Sequence, residues 1–130
     1  MVTGVGIVSP VGLSAYTTWE SLLAGRSGVD YISSFDPEPF ETQIAAEVKG
    51  FEPTNFLERK EARRMDRFVQ FAAIASQEAV SNAGLDLDRE DPVRVCAMIG
   101  SGIGGIHTLS REFQVLMERG PSKVNPFLIP

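Results

Sequence analysis

Three glycines in the stretch CAMIGSGIGGIHTL, residues 96–109, have a spacing that could serve phosphate binding. Gly100, Gly102 and Gly105 spell G-x-G-x-x-G, after an apolar run and before a helical pattern. In a dinucleotide-binding unit such glycines bring the backbone and a helix N-terminus close to a pyrophosphate. That unit also needs a second strand ending in an acidic residue, whereas here the helix leads into GPSKVNPFLIP.

An apolar partner suits these glycines, which we call the glycine turn (residues 100–105), better than a phosphate does. No cation flanks the turn, and its apolar neighbours are Ile99, Ile103 and Ile106. Glycine is also the residue required where another backbone or a ligand approaches closely, or where φ is positive. The sequence therefore favours a close approach or an apolar ligand, and the nucleotide-binding module stays as a rival hypothesis.

The chain has one cysteine and one histidine, Cys96 and His107. Cys96 falls in an apolar segment without an adjacent cation that would lower its pKa, so we predict a small buried hydrophobic residue rather than a nucleophile. His107 falls in the first turn of a predicted helix, and we expect it at the surface. Together they exclude a disulfide framework and a Cys/His zinc site within these 130 residues.

The segment RKEARRMDR, residues 59–67, is a basic patch on an acidic chain. It holds five cations and two anions, while the whole chain carries a net charge of −5. That balance argues against general nucleic-acid binding, and a local cluster indicates one confined anionic partner. The alternative is a solvated, salt-bridged surface. The cations are Arg59, Lys60, Arg63, Arg64 and Arg67.

Alternating strand and helix patterns predict an α/β fold around these groups. The predicted strands cover residues 2–8, 42–48 and 93–99, and the predicted helices cover residues 15–24, 67–83 and 106–118. Residues 26–41 contain Asp-Pro and Glu-Pro steps and are predicted as a loop. In the second strand, alternation places Ile44, Ala46 and Val48 on the buried face.

Local signals set the ends of the three helices. Ser14 and Asp66 are the predicted N-caps of the first two, and Gly25 and Gly84 end them. Gly120-Pro121 stops the third helix. We expect Trp19, Leu22 and Leu23 on the apolar side of the first helix, and Ile106, Leu109, Phe113, Leu116 and Met117 on that of the third.

Composition places the chain among ordinary cytoplasmic globular proteins. It is 43% hydrophobic and 22% charged, without an apolar run near the roughly 20 residues of a membrane helix. The N-terminus lacks the basic region of a signal peptide. The apolar tail, residues 122–130, has no predicted partner, so we expect the chain to be a piece of a larger protein.

Five motifs, in order, resemble those of the beta-ketoacyl-[acyl-carrier-protein] synthases, most closely the type II enzymes of bacterial fatty-acid synthesis. They are VTGVGIVSPVG, WESLLAGRSG, RKEARRMDRFVQF, IGSGIGG and RGPSKVNPFLIP, and together they span essentially the whole chain. The resemblance implies the N-terminal portion of a thiolase-like, layered α-β-α-β-α fold that is dimeric. It also implies that residues 1–130 are one incomplete part of the ketosynthase domain, without separate domains.

The reaction that the resemblance implies is decarboxylative Claisen condensation of acyl and malonyl thioesters on acyl carrier protein. The family's nucleophilic Cys and two His lie beyond this segment, which therefore holds no catalytic residue and should be inert alone. No resident cofactor is implied, because the phosphopantetheine arm arrives on the carrier protein. A non-catalytic, ketosynthase-like chain-length subunit of a polyketide synthase shares these motifs and is the alternative.

The resemblance also assigns binding residues. Lys60, Arg63, Arg64 and Lys123 match positions that contact carrier protein, although Ser122 stands where the family often has a cation. Gly102, Ile103 and Leu128 match positions of the acyl pocket, in which the size of the residue at Ile103 limits the chain. Phe127, like Leu128, matches a position near the dimer interface, where simple packing is an equally good explanation.

Overall fold

A computed structural model describes residues 1–126 and 128, and its four α-helices and two strands confirm the α/β class. The helices are α1 (Ala15–Leu23), α2 (Arg59–Ala62), α3 (Arg67–Asn82) and α4 (Ile106–Arg119), and the strands are β1 (Val29–Tyr31) and β2 (Ile44–Ala46). Short 3-10 helices cover Pro53–Asn55, Leu87–Arg89, Pro92–Arg94 and Pro121–Lys123. No helix of the described residues is long and apolar enough to cross a membrane.

The chain divides into two compact units. The first unit comprises Met1–Glu52 and Ala73–Val95, and the second comprises residues 53–72 with the described residues of 96–130. The first six residues of helix α3 therefore belong to the second unit, and the rest of the helix belongs to the first. Phe51 and Ile74 are buried in the first unit, and Leu57 and Ala62 in the second.

The N-terminal segment, residues 2–8, lies along α3 and is not the predicted strand. A Cβ at Gly4 would meet the backbone of Ala79, and one at Gly6 would meet the carbonyl of Ala75. The N–H of Ile7 donates to Glu78 Oε2 (2.8 Å). The prediction was wrong because a strand needs a ladder partner, whereas this segment bonds to helix side chains.

Helix α1 begins and ends as predicted. Ser14 forms a capping box with Thr17, and Gly25 follows the helix at φ 65°. The side chains expected on its apolar side are exposed: Trp19 is 60% exposed, and Leu22 and Leu23 are also exposed. Thr18 and Ser21 are buried instead, because their hydroxyl groups bond to the loop of residues 9–12.

Strands β1 and β2 form an antiparallel hairpin in which Val29 pairs with Ala46 and Tyr31 with Ile44. Strand β2 lies inside the predicted strand, whereas β1 lies inside the segment predicted as a loop, so that part of the loop prediction was wrong. The predicted inward face was wrong too, because Ile44 and Ala46 are exposed and Ala45 is partly covered. All three residues of β2 are apolar, and the two on its outer face, Ile44 and Ala46, are left exposed in the described hairpin.

Two carboxylates support the hairpin. Glu47 accepts hydrogen bonds from Ser33 N and Oγ (2.8 and 2.7 Å) and from Ser34 N (3.1 Å). Bonds from the Ser34 and Ser33 side chains, with that from the Ser33 N–H, lower the pKa of Glu47 to about 2. Lys49 bonds to Asp30 (2.6 Å) and lowers the pKa of that carboxyl group. Both groups stay ionised at neutral pH.

Helices α3 and α4 match their predicted ranges within one residue at each end. Gly84 and Gly120 follow them at φ 62° and 83°. The apolar face of α4 is exposed: Phe113 is 62% exposed and Met117 72%. Its buried residue is Glu112.

The predicted strand over residues 93–99 is absent from the described chain, and its residues are exposed. Asp91 accepts from Val93 N (3.1 Å) and starts the 3-10 helix Pro92–Arg94 in place of extended backbone. The prediction that Cys96 is buried was therefore wrong, since Cys96 is exposed. Described residues 96–100 have no ladder partner, and an apolar run alone cannot make a strand.

Candidate functional site

A cavity of about 620 Å³ lies within the second unit and combines cations with apolar side chains. The first residues of α3, the glycine turn and the first turns of α4 enclose it. Its cations are Arg63, Arg64, Arg67 and Arg111; its apolar side chains are Met65, Phe68, Val69, Ile103, Leu109 and Leu128; Asp66, Gly105, Thr108 and Asn125 complete the lining. Such a site suits a ligand with an anionic part and an apolar part.

The basic patch begins in α2 and runs to the start of α3. Buried Gln70 fixes the bend between them, because its Nε2 donates to the carbonyls of Ala62 (2.8 Å) and Met65 (3.2 Å). The patch residues Arg59, Lys60, Arg63 and Arg64 are all exposed and line an open hollow of about 560 Å³. Four cations around one hollow strongly favour an anionic partner.

The glycine turn is mostly open. A Cβ at Gly100 or Gly102 would meet nothing within 4 Å. Gly104 has a φ of 74°, a backbone conformation that residues with a side chain rarely adopt. The N–H of Gly104 donates a hydrogen bond to Ser101 Oγ (2.9 Å). Ile103, between these glycines, is 76% exposed and lines the cavity. The turn can thus change conformation while it presents an apolar side chain.

Asp66 lies against the end of the glycine turn. Thr108 Oγ1 donates a hydrogen bond to Asp66 Oδ1, and a Cβ at Gly105 would collide with the same carboxylate. Gly105 is the N-cap of α4. A carboxylate next to this helix N-terminus is favourable for the helix but repels a phosphate, so the site opposes the nucleotide hypothesis.

Buried Glu112 of α4 holds the segment that carries Leu128. Its Oε2 accepts from Asn125 N (2.7 Å), and its Oε1 lies 3.3 Å from Arg111 Nε. The carbonyl of Asn125 in turn accepts from Leu128 N (3.0 Å). Glu112 thereby supports the backbone next to one apolar residue of the cavity, although its own side chain is not among the described lining.

Of the residues assigned by resemblance, the cavity brings together Arg63, Arg64, Ile103 and Leu128. Lys60 lies in the adjoining hollow with Arg63 and Arg64. Lys60 and two further assigned residues are outside the described lining of the cavity: Lys123, exposed in the last 3-10 helix, and Gly102, exposed in the glycine turn. The hypothesis for Phe127 lies outside the described residues. His107 is exposed, as predicted.

Sequence reasoning did not assign Asp66, Thr108 or Glu112 to this site. Asp66 was assigned only as a helix cap, and its bond to Thr108 joins positions 42 residues apart. The only sequence feature that distinguishes Glu112 is its position next to apolar residues of α4. A charged side chain is buried at such a position only if it has a bonding partner. That position is the one clue that could have identified Glu112.

The family described as "Beta-ketoacyl synthase, N-terminal domain" matches residues 1–130, the whole chain. The chain belongs to this family. The 3-oxoacyl-[acyl-carrier-protein] synthase 2 of Staphylococcus aureus is 44% identical over 130 residues, which are 100% of this chain and 32% of that protein. The chain thus spans about a third of the length of the curated relatives it matches.

Two solved structures have a fold similar to that of this chain. The ishigamide ketosynthase/chain length factor matches with a TM-score of 0.82 and 31% identity, over 98% of this chain and 32% of that chain. A beta-ketoacyl synthase from Burkholderia phymatum STM815 matches with a TM-score of 0.75 and 29% identity, over 98% and 32%. The prediction of the N-terminal portion of a thiolase-like fold is confirmed.

Proposed function

We propose that the protein containing this chain condenses acyl-acyl carrier protein with malonyl-acyl carrier protein to give 3-oxoacyl-acyl carrier protein in fatty-acid elongation. The chain supplies a carrier-docking patch and part of an acyl pocket. One observation carries the proposal: a single cavity joins Arg63 and Arg64 to Ile103 and Leu128. The name of the 44% identical relative, a 3-oxoacyl-[acyl-carrier-protein] synthase, supports the same substrate class.

The chemistry uses groups beyond these 130 residues. A Cys thiolate attacks the acyl thioester and expels the carrier's pantetheine thiolate. Malonyl carrier protein then loses carbon dioxide, and the resulting enolate attacks the acyl-enzyme and releases the Cys thiolate. Cys96 has no part in this scheme, because it is exposed away from the described lining of the cavity. The chain's own role is to bind and orient the substrates.

Docking depends on charge in this proposal. Carrier protein is an acidic helical bundle, so Lys60, Arg63, Arg64 and Lys123 would attract it and fix its orientation. The acyl chain would extend toward Ile103 and Leu128 while the phosphopantetheine arm stays attached to the carrier. No resident cofactor is needed. The protein would act in the cytoplasm as a homodimer, with residues 1–130 as an incomplete part of one ketosynthase domain.

Charge reversal tests the docking surface. In the complete protein, Arg63→Glu with Arg64→Glu should raise KM for acyl carrier protein several-fold, because attraction becomes repulsion. The defect should change with ionic strength, since exposed charges are screened by salt. Turnover of acyl-pantetheine or acyl-CoA should change little. Steady-state kinetics with both donors measure the effect.

The matched control reverses two exposed arginines of the first unit, Arg89→Glu with Arg94→Glu. This control has the same change in net charge but leaves the patch intact, so KM for carrier protein should stay near wild type. Equal losses with carrier-bound and free donors, or equal losses in the control, would refute docking at Arg63 and Arg64.

Substitution of Ile103 tests the acyl pocket. Ile103→Phe should shorten the preferred acyl chain, because the larger ring fills space next to Leu128 in the cavity. Carrier-protein affinity should be unchanged. Product chain lengths are measured by mass spectrometry, with Ile99→Phe as the control at an exposed apolar residue outside the described lining. An unchanged product profile would contradict the assignment.

The alternative is a non-catalytic chain-length subunit, which the likeness to a ketosynthase/chain length factor favours. The complete protein distinguishes the two. If the complete protein is an enzyme, it condenses the two thioesters without a partner. Its Cys96→Ser variant then still loses activity when thiols are alkylated, because the nucleophile is another thiol. A chain-length subunit shows no condensation until a catalytic partner is added.

A further inference from the structure

We propose that Asp66, through its hydrogen bond with Thr108, is a positioning residue that sets which acyl-chain length the pocket accepts. This inference rests on the proposed function. It concerns a pair of side chains that bind neither the carrier protein nor the acyl chain in that proposal. The pair instead determines where the glycine turn, and with it Ile103, lies.

The contacts connect Asp66 to both ends of the site. Its carboxylate accepts from Thr108 in the first turn of α4 and lies where a Cβ at Gly105 would be. Ile103 is two residues before Gly105 and lines the same cavity as Asp66. A shift of the carboxylate must therefore move Gly105 or create a void beside it.

The rest of the glycine turn has few other constraints. A Cβ at Gly102 would meet nothing within 4 Å, and one at Gly104 would only touch the Phe68 ring at 3.8 Å. The internal bond from Gly104 N to Ser101 Oγ shapes the turn but does not attach it to α3. Among the described contacts, the Asp66 carboxylate, just before α3, packs against Gly105 at the end of the turn and accepts the bond from Thr108 in the first turn of α4.

The charges facing Asp66 also favour a fixed carboxylate. Arg63, Arg64 and Arg67 precede or follow it in the chain, and Arg111 of α4 lines the same cavity. The partial positive charge of the α4 N-terminus acts in the same direction. Asp66 thus lies beside the patch that would receive the carrier, and one short segment serves both docking and pocket shape.

The test is a double-mutant cycle in the complete protein, with Asp66→Ala, Thr108→Val and both together. The readout is the ratio of kcat/KM for the best acyl chain to that for a chain two carbons longer. Each single change should lower this ratio about three- to tenfold, the range expected when an ordinary hydrogen bond is lost. The double variant should lower it no further, because both remove the same bond.

Thr108→Ser is the matched control, because it keeps the hydroxyl and should restore the wild-type ratio. Thr108→Val leaves every charge in place, so its dissociation constant for carrier protein should equal that of wild type. If Asp66→Ala does not fold, the comparison of Thr108→Val with Thr108→Ser carries the test. An unchanged ratio in folded Thr108→Val, or additive losses in the cycle, would overturn the proposal.

Hydrogen–deuterium exchange separates this inference from the proposed function. Exchange in residues 102–109 should rise in Thr108→Val and not in Thr108→Ser, whether or not the protein condenses thioesters. Absence of condensation in wild type refutes the proposed function alone. Unchanged exchange in Thr108→Val overturns the positioning role.

Discussion

Two glycine-rich segments of this chain use the same residue for opposite purposes. In the N-terminal segment, Gly4 and Gly6 lie so close to α3 that a side chain would collide with its backbone. In the glycine turn, a side chain at Gly100 or Gly102 would meet open space. The first segment therefore needs glycine for packing, whereas the second gains conformational freedom beside a candidate ligand cavity.

A carboxylate fixes each segment, and the two attachments differ. Glu78 accepts from Ile7 N (2.8 Å) and from Ala15 N (2.9 Å), so both of its oxygens bond to backbone. Asp66 accepts from a side chain, Thr108, and otherwise contacts Gly105 without a described bond to its backbone. The first attachment is typical of a structural support, and the second leaves the turn able to move.

The largest effect is expected at the packed glycine. Gly6→Ala should lower the free energy of unfolding by about 3 kcal/mol, because the new methyl group must displace backbone atoms of α3. Gly102→Ala, the matched change in the open turn, should stay within about 1 kcal/mol of wild type. Urea unfolding of the complete protein measures both. Similar losses at the two positions would remove the distinction between the segments.

Substitution of Glu78 should have an intermediate effect. Glu78→Gln keeps one oxygen acceptor but places an amide donor opposite a backbone N–H, at a cost of about 1–3 kcal/mol. The change is measured by the urea midpoint, with Glu90→Gln as the control at an exposed position. Asp66→Asn should cost less than Glu78→Gln, because the Asn oxygen can still accept from Thr108. The reverse order would contradict the contrast drawn between these attachments.

The helices could be predicted from the sequence because their signals are local. Ser14 caps α1 through a residue three positions away, and Gly84 and Gly120 end α3 and α4 through their own φ angles. The predicted strands over residues 2–8 and 93–99 depended on partners elsewhere in the chain, which an apolar run cannot specify. The same limit applies to the apolar sides of α1 and α4, because their pattern does not specify what covers them.

In the candidate site, too, local features could be predicted from the sequence and tertiary contacts could not. Apart from Arg111, its cations are close together in sequence, so the basic patch at Arg63 and Arg64 was visible as a cluster. The connection of that patch to Ile103 came only from the resemblance, and the bond from Thr108 to Asp66 came from neither source. A single sequence does not show which side chains meet through tertiary contacts, even where each residue is easily noticed by itself.

The smallest effect is expected at a carboxylate that fixes a third segment, the loop of Ser33 and Ser34. The pKa of Glu47 is about 2, below its ordinary value of 4.5, so its bonds stabilise the loop fully above pH 4.5 and are lost as the pH falls toward 2. NMR titration of the Ser33 amide in wild type should give a midpoint near the lowered value. Glu47→Gln should abolish that transition. A Ser33 midpoint near 4.5 would show that these hydrogen-bond distances alone do not make the Glu47 carboxylate an attachment.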